Sequence, residues 1–285
     1  MDTIKAYYRL AKPGIIYGNL LSALAGFLLA SGRNFHPALL LAMVFGLASI
    51  IGASCVGNNV MDRRIDQLMA RTRKRALVTG NISARNALLY CVLLYALGIL
   101  ILRIWVNLLT LNVALFGSFA YLLLYGLGKR KTVHGTLIGS ISGAVPPVVG
   151  YTAVTGRLDV AALLLFLVLV FWQMPHFYAI ALFRSEDYRA AGIPVLPVVT
   201  GVKATKIQIM CYIIAYAIST TLLTFYGYTG IIYLLGVLLI SIYWFSKGYT
   251  KYQLPPEKWG RMMFGTSLIA LLAWCALTAL SPWLP

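Results

Sequence analysis

The stretch NNVMDRRIDQLMARTRKR, residues 58–75, gathers the chemistry-bearing side chains of a chain that is poor in them. Asn58, Asp62 and Asp66 recur every fourth residue, so a helix running through them puts all three on one face. Such a stripe is about 12 Å long at ~1.5 Å of rise per residue. A helix C-terminus carries partial negative charge and disfavours carboxylates there, so a positive partner is required. One candidate is local pairing with Arg63, Arg64 or the basic run that follows. The other is a divalent cation. Mg²⁺ takes one or two carboxylates and completes its shell with water and substrate phosphate. Acids beside RTRKR therefore suit a metal–diphosphate, with Arg71, Arg73, Lys74 and Arg75 neutralising the remaining phosphate charge.

The elements that must position this stripe are membrane helices. Of 285 residues, 60% are hydrophobic and only 11% charged, and runs of about 20 apolar residues match a ~30 Å hydrocarbon layer. Segments such as AALLLFLVLVFW are continuously apolar rather than alternating, which argues against a β-barrel. Nine segments are expected, near 14–31, 37–60, 84–102, 105–126, 135–154, 160–180, 206–226, 229–247 and 262–281. Of the 24 Lys and Arg, only Arg33, Arg103 and Arg157 fall on one side of this arrangement. The positive-inside rule then puts the N-terminus in the cytoplasm and the C-terminus outside. The formal charge of +17 thus marks topology, and no nucleic-acid partner is needed to account for it.

The acids follow the same partition. Asp62 and Asp66 follow segment 2, whereas Glu186 and Asp187 follow segment 6, four segments later. The expected fold is an all-α polytopic transmembrane bundle of about nine helices. It comprises two four-helix pseudo-repeats plus a final helix, around a central cavity opening toward the cytoplasmic side. Four scattered cysteines, Cys55, Cys91, Cys211 and Cys275, form no CxxC or Cys/His cluster, which speaks against disulfide or zinc chemistry. MDTIKAYYRLAKPG reads as neither a cleavable signal nor a transit peptide, so the first segment is expected to be retained and a bacterial plasma membrane is favoured.

NNVMDRRIDQLMARTRKRALVTGNIS resembles the first signature of the intramembrane (UbiA-type) prenyltransferase superfamily, and YGLGK, from Tyr125 to Lys129, resembles its YxxxK element. AKPGIIYGNL, GTLIGSISGAVPPVVGYTAVTG and WQMPHFYAIALFRSEDYRAAGIPVLPVV together resemble the protohaem IX farnesyltransferases of that superfamily. The similarity covers nearly the whole chain, so residues 1–285 are expected to form one integral-membrane prenyltransferase domain. It implies transfer of farnesyl from farnesyl diphosphate to a vinyl group of haem B, with water addition, giving haem O and diphosphate. Haem B would be a substrate rather than a cofactor.

By the same resemblance, Asp62 and Asp66 with Asn58 hold Mg²⁺ or another divalent cation. Arg71, Arg75, Lys129 and Arg130 clamp the diphosphate, and Tyr125 belongs to the site. Many relatives carry a second acidic motif after segment 6. Here Glu186 and Asp187 are adjacent and do not share a helix face, so Asp187 is expected to serve alone. Among three histidines, His176 and His134 are the candidates for contact with haem. The lipid bilayer is the obvious partner, and a haem-oxidising downstream enzyme is a candidate one. Two rivals stand: a prenyltransferase for a quinone-type aromatic acceptor, and a transporter of haem or polyprenyl lipid.

Overall fold

The computed structural model describes residues 3–67 and 72–285, apart from the side chain of Arg130. Among the described residues every regular element is helical. Nine helices among the described residues are long and apolar enough to cross a membrane. They are α1 (Pro13–Ser31), α2 (Pro37–Met61), α3 (Ala84–Trp105), α4 (Leu108–Lys129), α5 (Gly135–Thr155), α6 (Val160–Phe183), α7 (Val202–Phe225), α8 (Ile231–Thr250) and α9 (Pro256–Trp283). The chain is a multi-pass membrane protein. Outward-facing Leu88, Leu89, Val92, Leu93, Leu97 and Leu100 on α3 are exposed, a continuous apolar face that water would penalise and lipid tolerates.

The expected segments match these helices to within four residues at every end except the start of α9, and two of the differences have a clear cause. α4 starts at Leu108 because Asn107 caps it, its side chain accepting from the Thr110 amide. α9 begins at Pro256, well before the apolar run, because its first turns are polar but helical and carry the Glu257–Arg261 pair. Hydropathy does not register polar turns that extend an apolar helix.

Helix pairing repeats with a shift of four. α2 packs extensively along α3, and α6 along α7, while α9 closes the ring against α6 and α1. The seam between the halves is α1 against α5, where backbones touch. A Cβ on Gly26 would lie 2.0 Å from the Pro147 carbonyl oxygen, and one on Gly150 would lie 1.8 Å from that of Ala23. Small residues permit this close approach, which is how membrane helices gain packing where lipid offers no hydrophobic driving force.

Two helices depart from regular geometry beside the central cavity. α5 breaks at Ala144 and restarts with Pro146 and Pro147 in the new first turn, where missing amides cost least. α4 contains a π-helical turn over Ala120–Tyr125, a distortion found often at functional sites. It places Tyr121 and Tyr125 in a stack, centroids 5.8 Å apart.

Candidate active site

α2 ends at Met61, and Asp62 caps it as a turn before a short helix, Arg63–Asp66. The i to i−4 hydrogen bonds nevertheless run on, from Asp62 N to Asn58 O and from Asp66 N to Asp62 O, each 2.9 Å. The expected stripe therefore persists through the turn. Asn58, Asp62 and Asp66 are all buried, at 3%, 8% and 3% exposure, and buried carboxylates require charged or hydrogen-bonded partners.

The two acids find different partners. Asp62 Oδ2 accepts from Asn58 Nδ2 at 2.9 Å and from Lys129 Nζ at 2.5 Å, and Lys129 also reaches Asn58 Oδ1 at 3.3 Å. Lys129 lies over the Tyr125 ring, 5.2 Å from its centroid. Asp66 Oδ2 accepts from Arg75 Nη1 at 2.6 Å, and the same nitrogen donates to Asn59 Oδ1 at 3.2 Å. The Thr72 hydroxyl donates to the Asp66 carbonyl. Asp62 is thus tied across the bundle to α4, whereas Asp66 is tied to its own loop. Local pairing with the basic run holds for Asp66, and Arg75 is engaged there rather than in the cavity wall.

A cavity of about 930 Å³ runs up the bundle beside this cluster. Tyr121, Tyr125 and Lys129 form one wall, and Trp172, Gln173 and His176 another. Asn58, Asp62 and Asp66 are not in its lining. They stand behind Lys129, which is the link between acids and cavity. Gln173 donates to the carbonyls of Ser140 and Leu169. It fits because Gly143 lacks a Cβ, which would lie 2.0 Å from Gln173 Oε1.

His176 is the histidine the fold brings to the cavity. Its ring stacks on Trp172 at 4.8 Å and packs against Phe264 at 4.8 Å. Nδ1 lies 2.7 Å from Ser267 Oγ, and Ser267 Oγ donates its own hydrogen to the Phe264 carbonyl at 2.6 Å. A hydroxyl has one hydrogen to give, so His176 carries its proton on Nδ1 and keeps the Nε2 lone pair. Trp172 Nε1 donates to the Ser267 carbonyl, so one residue of α9 anchors both rings of α6. Nothing in the spacing of α6 points to Ser267, which lies 91 residues from His176.

Other candidates are placed differently. His134 is exposed ahead of α5, outside the cavity lining. Asp187 sits in a short helix, Ser185–Ala190, half-exposed, with Arg184 Nη1 at 3.5 Å. Its neighbours Arg184 and Tyr188 line the cavity and it does not. Arg71 lies outside the described residues, as does the side chain of Arg130. Among the aromatic residues of α4 and α6, Tyr121, Tyr125, Trp172, Phe177 and Phe183 line the cavity. Phe171, Tyr178 and Tyr212 instead pack on one another, and Tyr216 on Trp244.

Lys12 was hidden in the sequence. It is the one positive-φ residue other than glycine among the described residues, at φ 56° and ψ 66°. That left-handed conformation is sparsely used by side-chain-bearing residues, and it turns the chain between the N-terminal helix, Thr3–Leu10, and α1. Asn59 fixes the corner by donating to the Leu10 carbonyl at 2.9 Å. Burial pulls the Lys12 ammonium down to about 8, with Cys55 and the Asp62 and Asp66 charges opposing that shift and Arg75 adding to it. The available signal was a lysine before the proline that starts α1.

Comparison with known proteins bears on what this arrangement does. A model of the UbiA prenyltransferase family matches residues 19–269. The chain is 46% identical over 270 residues to a protein of Yersinia enterocolitica named protoheme IX farnesyltransferase, covering 94% of this chain and 91% of that one. Its fold matches a structure described as digeranylgeranylglyceryl phosphate synthase, with a TM-score of 0.81, 18% identity and 99% of each chain covered. A UbiA homologue of Archaeoglobus fulgidus, solved with GPP and Mg²⁺, matches with a TM-score of 0.66 and 18% identity over 96% of this chain and 99% of that one.

Proposed function

Because the chain belongs to the UbiA prenyltransferase family, we propose that it transfers the farnesyl group of farnesyl diphosphate to a vinyl group of haem B, with addition of water, yielding haem O and diphosphate. The whole chain would act as one domain. The observation that carries this reading is a single cavity bordered at one wall by the Lys129–Asp62 pair and at another by His176 with a free Nε2 lone pair. The identity shared with the Yersinia protein supports the choice of acceptor.

The donor set fits a divalent cation such as Mg²⁺. Two carboxylates and an amide oxygen share a stripe, and among the described residues no three His, Cys, Asp or Glu converge. Mg²⁺ needs no more protein ligands than that when a diphosphate supplies the rest. Asp62 and Asp66, with Asn58, would hold it, and when bound it would withdraw charge from the leaving diphosphate. Lys129 stands where it exchanges part of its hold on Asp62 for a diphosphate oxygen, with Arg71, Arg75 and Arg130 as further anion partners. Lys12 adds positive charge from the α1 side.

Departure of diphosphate breaks the allylic C–O bond and leaves a farnesyl cation. The stacked faces of Tyr121 and Tyr125 stabilise positive charge beside Lys129, and Leu47, Ile50 and Ile51 keep bulk water from that part of the cavity. The haem vinyl attacks C1 of the cation. Water then adds to the cation formed next to the macrocycle and releases a proton, giving the hydroxyethylfarnesyl group without redox chemistry. His176 would contact the haem, with its Nε2 available to the iron. His134, Asp187 and Tyr125 remain secondary members of the proposal. The charge partition supports a cytoplasmic N-terminus and an outward C-terminus, and the bacterial relative supports a plasma membrane.

Mass analysis of purified protein incubated with haem B, farnesyl diphosphate and Mg²⁺ tests the reading, with haem O and diphosphate as the expected products. Prenylation of a hydroxybenzoate in place of haem would move the assignment to the quinone-type acceptor. Transport without diphosphate release would remove it from enzymes altogether.

A further inference from the structure

No Asp or Glu lines the cavity among the described residues, and apart from His176 its basic lining residues are Lys129, Arg184 and Arg261. Lys129 belongs to the acid cluster described above. The two arginines do not. Arg184 follows the last residue of α6 and Arg261 lies in the first turns of α9, so two different helices deliver guanidinium groups to one end of the cavity. Both lie on the same ring, at 5.6 Å and 5.1 Å from the Phe183 centroid. Phe183 therefore works as a shared platform that orients two planar forks.

Each fork keeps donors in reserve. Arg184 offers only Nη1 to Asp187, at 3.5 Å, and Arg261 offers only Nη2 to Glu257, at 2.8 Å. Both are short-range pairs on exposed helix ends, the kind that solvent weakens. A guanidinium has five N–H donors, so either arginine has donors to spare for a second carboxylate.

We propose that Arg184 and Arg261 form a dicarboxylate subsite that binds the two propionates of the acceptor, turning its vinyl-bearing edge into the apolar interior of the cavity. This rests on the haem reading of the cavity. Haem carries its propionates on two adjacent pyrroles and its vinyls on the other two, so anchoring one edge presents the other. His176 lies eight residues before Arg184 on α6, about 12 Å along a helix, a separation of the order of a porphyrin with its propionate arms. The arrangement also keeps the charged edge at the membrane surface, where Arg261 is well exposed, and the apolar edge inside. Anionic groups of donor and acceptor are thereby sorted to separate basic clusters.

The test compares haem B with its dimethyl ester in wild type, Arg184→Gln, Arg261→Gln and the double variant, recording KM for each acceptor, KM for farnesyl diphosphate and kcat. Each single variant should raise KM for haem B about 10-fold and leave KM for farnesyl diphosphate unchanged. The double variant should no longer distinguish the acid from the ester. Wild type should bind the ester as weakly as the double variant binds haem B, an arm that needs no variant to fold. Equal affinity of wild type for acid and ester would overturn the subsite while leaving farnesyl transfer to haem intact. Failure of wild type to farnesylate any haem, with a hydroxybenzoate prenylated instead, would overturn the function and the subsite with it.

Discussion

The loops after α2 and α6 stand four helices apart in corresponding places, yet they hold their acids in opposite ways. After α2, Asp62 and Asp66 are buried, aligned, and bound at 2.5 and 2.6 Å to Lys129 and Arg75. After α6, Glu186 and Asp187 are adjacent, Glu186 is exposed, and Asp187 meets Arg184 only at 3.5 Å. Burial separates the two loops. A carboxylate held in a dry, crowded place with cations around it keeps its charge and its position, whereas a solvated one is averaged by water. In the proposed function the first loop serves the diphosphate. The second places Arg184 and Tyr188 on the cavity wall, the side proposed for the acceptor.

Substitutions should expose this asymmetry, beginning with the largest effect. Asp62→Asn should lower farnesyl transfer on the order of 10³-fold, measured as diphosphate release, with haem binding retained by absorbance titration. Lys129→Met should cost about 10²-fold in turnover. It should also lower stability, because it removes the Lys129 ion pair from a buried carboxylate, and thermal unfolding in detergent would register that loss.

Lys12 gives a pH-dependent test of the same half. Its folded value of about 8 lies below the ordinary 10.5, so folding disfavours its charged form. The cost is fully present below about pH 8 and is relieved as pH rises from there toward 10.5, so the native state gains stability across that window. The native ammonium itself is lost around pH 8, and diphosphate release should fall by about 10-fold as pH rises through that value if the charge assists it. Lys12→Arg should shift that fall to higher pH, and Lys12→Met should flatten it. The smallest effect belongs to the other loop: Asp187→Asn should change kcat by less than about 5-fold, since exposed pairs contribute little. If Asp187→Asn proves as damaging as Asp62→Asn, the two loops are equivalent and the contrast fails.

Much of the architecture was legible in one dimension. Apolar run length located nine helices, and the four-residue recurrence of Asn58, Asp62 and Asp66 survived a helix break that hydropathy did not show. Histidine was harder. In sequence His134 and His176 are both candidates for haem contact, and their surroundings differ only through packing: His134 is exposed, whereas His176 is caged by Trp172 and Phe264. Ser267 was invisible, since its role depends on α9 lying against α6. Lys12 carries no signal of a role in sequence, for its approach to Asp62 and Asp66 depends on a left-handed corner that no neighbouring residue type announces.

The sequence by itself determined that the chain is a membrane bundle and which acids sit at its edge, because burial in lipid and helix period act on residues close together along the chain. Tertiary structure alone decided that Lys129 takes Asp62 while Arg75 takes Asp66, that Ser267 sets the tautomer of His176, and that Arg184 and Arg261 share one ring. Apart from the Arg75–Asp66 pair, which lies within one loop, those choices are contacts between helices far apart in sequence, and side-chain hydrogen bonds at that range follow from how backbones pack, which local pattern does not encode.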